Sequence, residues 1–236
     1  MSGHSKWAGI KHKKALVDAK RGTSFTRLGN NVTVAAKQGG GDPTLNAGLR
    51  MAIDKARAAN MPKDNVDRAI RRGTGELGGA AVEELLFEGF GPGNTAVLVE
   101  ALTDNRNRTN ADVRMLFNKN GGRIADGGVA YQFTQRGVIR FDLPGSTVIE
   151  EAAIIAGADD YLSGDGYVVV YTEPSDLHAV KDGLASAGFA AESVRIEWVP
   201  NSPIEQDEDT LEKIASLIEA LEENDDVTAV HTNLSE

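Results

Sequence analysis

The chain contains no cysteine in its 236 residues, which excludes disulfides and thiolate metal sites and fits a reducing compartment. It has no run of about 18 apolar residues, so no helix is expected to cross a membrane. Histidine is scarce: His4, His12, His178 and His231 lie far apart without metal-ligand spacing, and no metal or other cofactor is expected. The last scarcity is local. Residues 76–236 hold only 10 Lys/Arg against 30 Asp/Glu, whereas residues 1–75 hold 15 against 5.

What is present is otherwise ordinary. A hydrophobic fraction of 41% and a charged fraction of 25% suit a globular protein, and the length suits one large domain or two to three small ones. The basic start is followed by no apolar stretch, unlike a secretory signal, and is Lys-rich rather than Arg- and Ser-rich, unlike a transit peptide. A cytoplasmic location is expected. A cationic front on an acidic body attracts polyanions at long range, and nucleic acid is the commonest of these in a cell.

Residues 1–20 lack apolar periodicity and read as a basic arm. His4, Lys6, Trp7, Lys11, His12, Lys13, Lys14, Lys20 and Arg21 in and just after it are candidate nucleic-acid contacts. Cations hold phosphate, and an indole among them stacks on a base or anchors the arm to the body. From Thr23 helical spacing begins. Phe25, Leu28, Val32 and Ala35 or Ala36 form one face, and the glycines 39–41 end it. A second helix is expected to bury Leu45, Leu49, Ala52, Ile53 and Ala56, leaving Arg50, Lys55 and Arg57 outside. Asn60-Met61-Pro62 breaks the pattern. A third helix turns Val66, Ala69 and Ile70 inward, with Gly73 as its cap. Arg27, Lys63, Arg68, Arg71 and Arg72 of this three-helix unit are further candidate nucleic-acid contacts. A helix-turn-helix is only weakly indicated, because the glycine-rich turn is longer than usual.

The stretches GHSKWAGIKHKK (3–14), RGTSFTRL (21–28), GGGDPTLNAGLRMAIDKARAANMPKDNVDRAI (39–70) and EGFGPGNTAVLVEALTDNRNRT (88–109) resemble the YebC/PmpR family. Its members are described as transcriptional regulators, and their mitochondrial relatives act as translational activators. The resemblance runs from Ser2 to the C-terminus and implies a three-domain arrangement. Thr23-Ser24 stands where the family more often has a lysine, which removes one positive charge from the presumed binding face. Gly127-Gly128-Val129 stands where Gly-Ser-Val is common.

Glycine-rich 76–80 reads as a linker. Strand-like runs at 85–87 and 96–99, a helix with Val113, Leu116 and Phe117 inward, and a strand around Val129–Phe133 make β-α-β with no second helix to cover the sheet. Residues 137–199 read as a complete βαββαβ unit: alternation at Ile139, Phe141 and Leu143, a hairpin at Asp165-Gly166, and alternation at Val194, Ile196 and Trp198. The missing helix (Leu211, Ile214, Leu217, Ile218, Leu221) and a strand at 227–231 come afterwards. The expected class is therefore α+β: a three-helix domain over 1–75, then two ferredoxin-like sandwiches. One is split, 76–132 with 205–236, and the other, 133–204, is inserted into it.

Enzymatic chemistry is not expected. Gly89-Phe90-Gly91-Pro92-Gly93-Asn94 lacks the Lys-Ser/Thr of a phosphate loop and precedes a strand, so a tight turn is expected. Asp159-Asp160 and Asp225-Asp226 sit at helix-to-strand junctions, where solvated acids are usual. The acidic run 205–209 reads as a helix N-terminus. The loop 104–109 differs: with Thr109 capping the next helix and Asp104 holding the loop, Arg106 and Arg108 either project as a second phosphate contact or pair with nearby acids. The leading expectation is a DNA-binding transcriptional regulator on promoter DNA. The alternative is a ribosome-associated translation factor on ribosomal RNA, and a protein partner for the acidic domains is a further possibility.

Overall fold

The computed structural model describes residues 25–77, 82–143, 147–164 and 166–235. The arm residues His4, Lys6, Trp7, Lys11, His12, Lys13, Lys14, Lys20 and Arg21 lie outside the described residues. In chain order the helices and strands are α1 (Phe25–Gly39), α2 (Ala47–Ala58), α3 (Lys63–Gly73), β1 (Glu83–Phe90), β2 (Ala96–Thr103), α4 (Arg106–Lys119), β3 (Arg123–Ile124), β4 (Phe133–Phe141), α5 (Thr147–Ile155), β5 (Asp160–Gly164), β6 (Tyr167–Thr172), α6 (Leu177–Ser186), β7 (Ser193–Pro200), α7 (Glu208–Glu222) and β8 (Val227–Thr232). They form two compact units. Of the described residues, one takes those up to Ala130 and again from Pro203, and the other those within Tyr131–Ser202.

The first unit opens with the three helices. Leu28, Val32 and Ala36 of α1 meet Leu49, Ile53 and Ala56 of α2 and Val66 and Ala69 of α3 in one core. Fully burying a leucine or valine there contributes roughly 1.5–3 kcal/mol. Asn46 sets the start of α2: its side chain accepts from Leu49 N at 3.0 Å and donates to the Ala35 and Gly40 carbonyls at 2.8 and 2.9 Å. Leu45 therefore precedes the cap and is 85% exposed, not inward as its spacing predicts; Phe25, at the first position of α1, is also exposed. α3 closes at Gly75 (φ 82°), where Glu76 N donates to Arg71 O at 2.9 Å. Gly73 is thus not the cap. It lies where α3 crosses α1, and a Cβ there would stand 2.3 Å from the Thr33 carbonyl.

In the same unit β1 and β2 pair as an antiparallel hairpin across the Gly91-Pro92-Gly93-Asn94 turn. The sheet order is β3-β1-β2-β8. α4 and α7 share one core with it, in which Val97, Val99 and Val230 of the sheet meet Val113, Phe117, Ile214, Leu217 and Leu221. The helix missing from 76–132 is therefore supplied after the insertion. The third strand is Arg123–Ile124 beside Gly89 and Phe90, not Val129–Phe133. Ala130–Gln132 is a short 3-10 turn, and the backbone N–H groups of Val129 and Ala130 donate to the Glu88 carboxylate at 2.6 and 2.8 Å. A short apolar run carries no period, so composition alone did not separate strand from turn there.

The second unit has order β5-β6-β4-β7, all antiparallel, with α5 and α6 on one face. That is the ferredoxin-like weave expected for it. The split sheet keeps the two-layer build but not that weave, because β1 and β2 are hairpin neighbours with no helix between them. The fold is α+β, with two four-stranded antiparallel sheets among the described residues.

Candidate nucleic-acid interface

Two groups of cations in the first unit bear on this interface. On the outer faces of α2 and α3, Arg50, Lys55, Arg57, Lys63, Arg68 and Arg71 are exposed, and none is in an ion pair with another described residue. Their positions follow from the helical period, since the opposite faces carry the buried residues Leu49, Ile53, Ala56, Val66 and Ala69. The same helices also carry the exposed acids Asp54 and Asp64.

The second group is committed. Arg27 donates from Nη2 to the carbonyls of Glu222 and Asn224 at 3.1 and 3.3 Å, at the end of α7, where the helix dipole favours a cation. Arg72 pairs with Asp104. Arg106 pairs loosely with Glu83 at 3.4 Å. Arg108 reaches Asp104 at 3.3 Å and Asp226 at 2.8 Å. Of the two readings of Arg106 and Arg108, pairing with nearby acids is the one the geometry contains.

Asp226 is the centre of this arrangement. It follows the Asn224 turn, where its own N–H donates to Asn224 Oδ1 at 2.9 Å, and its carbonyl accepts from Leu102 N at 2.8 Å. It is 5% exposed, so its expected place among solvated acids is wrong. A buried carboxylate is tolerated only when its oxygens are satisfied. Here Thr109 Oγ1 lies 2.7 Å and Thr103 Oγ1 3.2 Å from Oδ2, and Arg108 Nη2 lies 2.8 and 3.1 Å from the two oxygens. The hydrogen bond to Asp226 raises the Arg108 pKa, with further help from the charges of Asp226 and Asp104 against desolvation. Thr109 is thereby spent on Asp226, and Asn105 caps α4 instead, accepting from Arg108 N at 3.1 Å. Asp104 ties Arg72 to Arg108 through side chains rather than bonding the backbone of its own loop. The sequence signal for this site is the pair Thr103 and Thr109, hydroxyls flanking a loop that need an acceptor once buried.

Among the described residues no cluster of three or more His, Asp or Glu could hold a metal ion, and no helix is long and apolar enough to cross a membrane.

Comparison with known proteins places the geometry in a lineage. The family description "TACO1/YebC protein N-terminal domain" matches residues 5–76, and "TACO1/YebC second and third domain" matches residues 82–234. A "probable transcriptional regulatory protein" of Treponema denticola is 52% identical over 99% of this chain and 96% of its own length. One of the same description from Shewanella oneidensis is 50% identical over 99% of this chain and 95% of its own. The crystal structure of a conserved hypothetical protein from Aquifex aeolicus superposes with a TM-score of 0.76 at 43% identity, covering 93% of this chain and 92% of that one. With both descriptions matched along nearly its whole length, the chain belongs to the TACO1/YebC family.

Proposed function

We propose that the chain is a non-enzymatic, nucleic-acid-binding regulator of gene expression that acts in the cytoplasm and grips sugar–phosphate backbone with its cationic front, promoter DNA being the partner. The observation that carries this reading is the exposed set Arg50, Lys55, Arg57, Lys63, Arg68 and Arg71 on α2 and α3, none ion-paired with a described residue. The relatives' description as probable transcriptional regulators supports the regulatory part. The basic arm extends the same polarity. Alanine at Lys11, Lys13 and Lys14 together should reduce the salt slope of duplex binding by about 2.7, at roughly 0.9 per phosphate contact. A filter-binding titration with an unchanged slope removes the arm from the interface.

A second reading, a translation factor on ribosomal RNA, is favoured by one feature of α3. The turn from Ala59 to Pro62 has helix-turn-helix length, but such a motif reads bases with the N-terminal part of its second helix. In α3 that part holds Asp64 and Asp67 beside the single cation Lys63, and the arginines come later. Acids facing a groove repel phosphate. Co-sedimentation with ribosomes that survives DNase treatment would establish this reading over promoter binding.

A further inference from the structure

We propose that Asp104 is an internal stand-in for phosphate, occupying an anion site formed by Arg72 and Arg108 that a nucleic-acid phosphodiester enters by displacing it. Arg72 comes from the last turn of α3 and Arg108 from the first turn of α4, yet both guanidinium groups converge on this one carboxylate. The two acids that hold Arg108 differ in kind. The Asp226 side chain is 6% exposed and fixes the guanidinium from within, while that of Asp104 is 39% exposed and lies on the solvent side. Arg72 and Arg108 are themselves 32% and 48% exposed, so the pair can be reached from outside once the carboxylate swings away.

The chemistry favours exchange. An ion pair this exposed contributes little to stability, so its loss on displacement costs little. A phosphodiester offers one negative charge and two unesterified oxygens, the same acceptor pattern as the carboxylate it replaces, and guanidinium forks bind both. Arg108 is held in place before the ligand arrives, because Asp226 with Thr103 and Thr109 fixes the α4 side. Asp104 then sets a threshold: with Asp226 already paired to Arg108, it cancels the remaining positive charge of the site until a backbone is presented by the α2–α3 face. The inference rests on the nucleic-acid reading above.

Asp104→Asn keeps the size of the side chain and removes its charge. Binding is measured with a labelled DNA duplex and with a single-stranded RNA of equal length. The variant should bind about tenfold tighter, the worth of one charge-assisted contact, with a salt slope steeper by about 0.9 on duplex or 0.7 on single strand. Adding Arg72→Gln should return affinity and slope to the native values or below. A folded Asp104→Asn chain that binds no more tightly than the native one overturns the proposal. If that variant does not fold, Arg72→Gln in the native chain carries the test: binding should weaken several-fold, and unchanged affinity overturns it. A native chain that binds neither probe removes the nucleic-acid reading and this inference together. A native chain that binds while both variants match it removes the inference alone.

Discussion

Arg68 and Arg108 are the same residue type in the same compact unit, with opposite employment. Arg68 stands on the outer face of α3 without an acidic partner among the described residues, whereas Arg108 lies 2.8 Å from a carboxylate that is almost fully buried. The difference teaches that a count of cations along a chain measures how much positive charge there is, not how much of it is available. Availability is decided by whether an acid elsewhere in the chain loses its water beside the cation. Asp226 does so, 118 residues from Arg108.

The largest test of this contrast is Asp226→Ala. It leaves the Thr103 and Thr109 hydroxyls and Arg108 Nη2 without their common acceptor, and should lower stability by about 3 kcal/mol in urea denaturation. Arg68→Ala should change stability by less than about 0.5 kcal/mol. Equal small losses from both would erase the distinction between the two groups.

The next largest effect concerns the packed side of α3. Gly73→Ala drives a methyl group to 2.3 Å from the Thr33 carbonyl and 2.7 Å from Ala36 Cβ. The α1–α3 crossing must open, at a cost of about 2 kcal/mol. Thermal melts read this directly, and an unchanged midpoint would mean that the crossing is slack. On the outward side of the same helix, Arg68→Ala with Arg71→Ala should leave the melt almost unmoved. If both arginines meet phosphate, the duplex salt slope should fall by about 1.8. Opposite responses from two sides of one helix are what the comparison demands.

How much of this was legible beforehand follows from the range of each interaction. The three helices, the βαββαβ unit and the late-arriving α7 are set by local periodicity and turn chemistry, which a single sequence displays. Leu45 was misplaced because a cap one residue later, Asn46, overrode a matching apolar spacing. The strand order of the split sheet was not legible, since which of several apolar strands become neighbours depends on contacts across the insertion. Arg108 stands out in the sequence, but its partner reads as a solvated acid: nothing local marks Asp226 as buried and Asp225 as different from it. The helical period alone places the outer cations of α2 and α3 on the surface, but of these only Lys63, Arg68 and Arg71 read as candidate contacts from the sequence.

The smallest expected effect separates a third kind of charge, an acid spent on backbone rather than on arginine. Asp207 caps α7, accepting from Thr210 N at 2.8 Å and from Thr210 Oγ1 at 2.9 Å. The backbone N–H of Thr210, then its hydroxyl, holds the Asp207 carboxyl below the usual carboxylate range, with a smaller pull from Lys213 against slight desolvation. A carboxyl whose pKa is lower folded than unfolded contributes stability that is present above the unfolded value and lost as pH falls through the folded one. Asp207→Ala should therefore lower the urea midpoint slightly near neutral pH, and the gap from the native chain should narrow at about pH 3. If the gap is the same at both, the charge of the cap contributes nothing. The acidic rear would then differ from the front only in net sign, not in how its charges are tied to the chain.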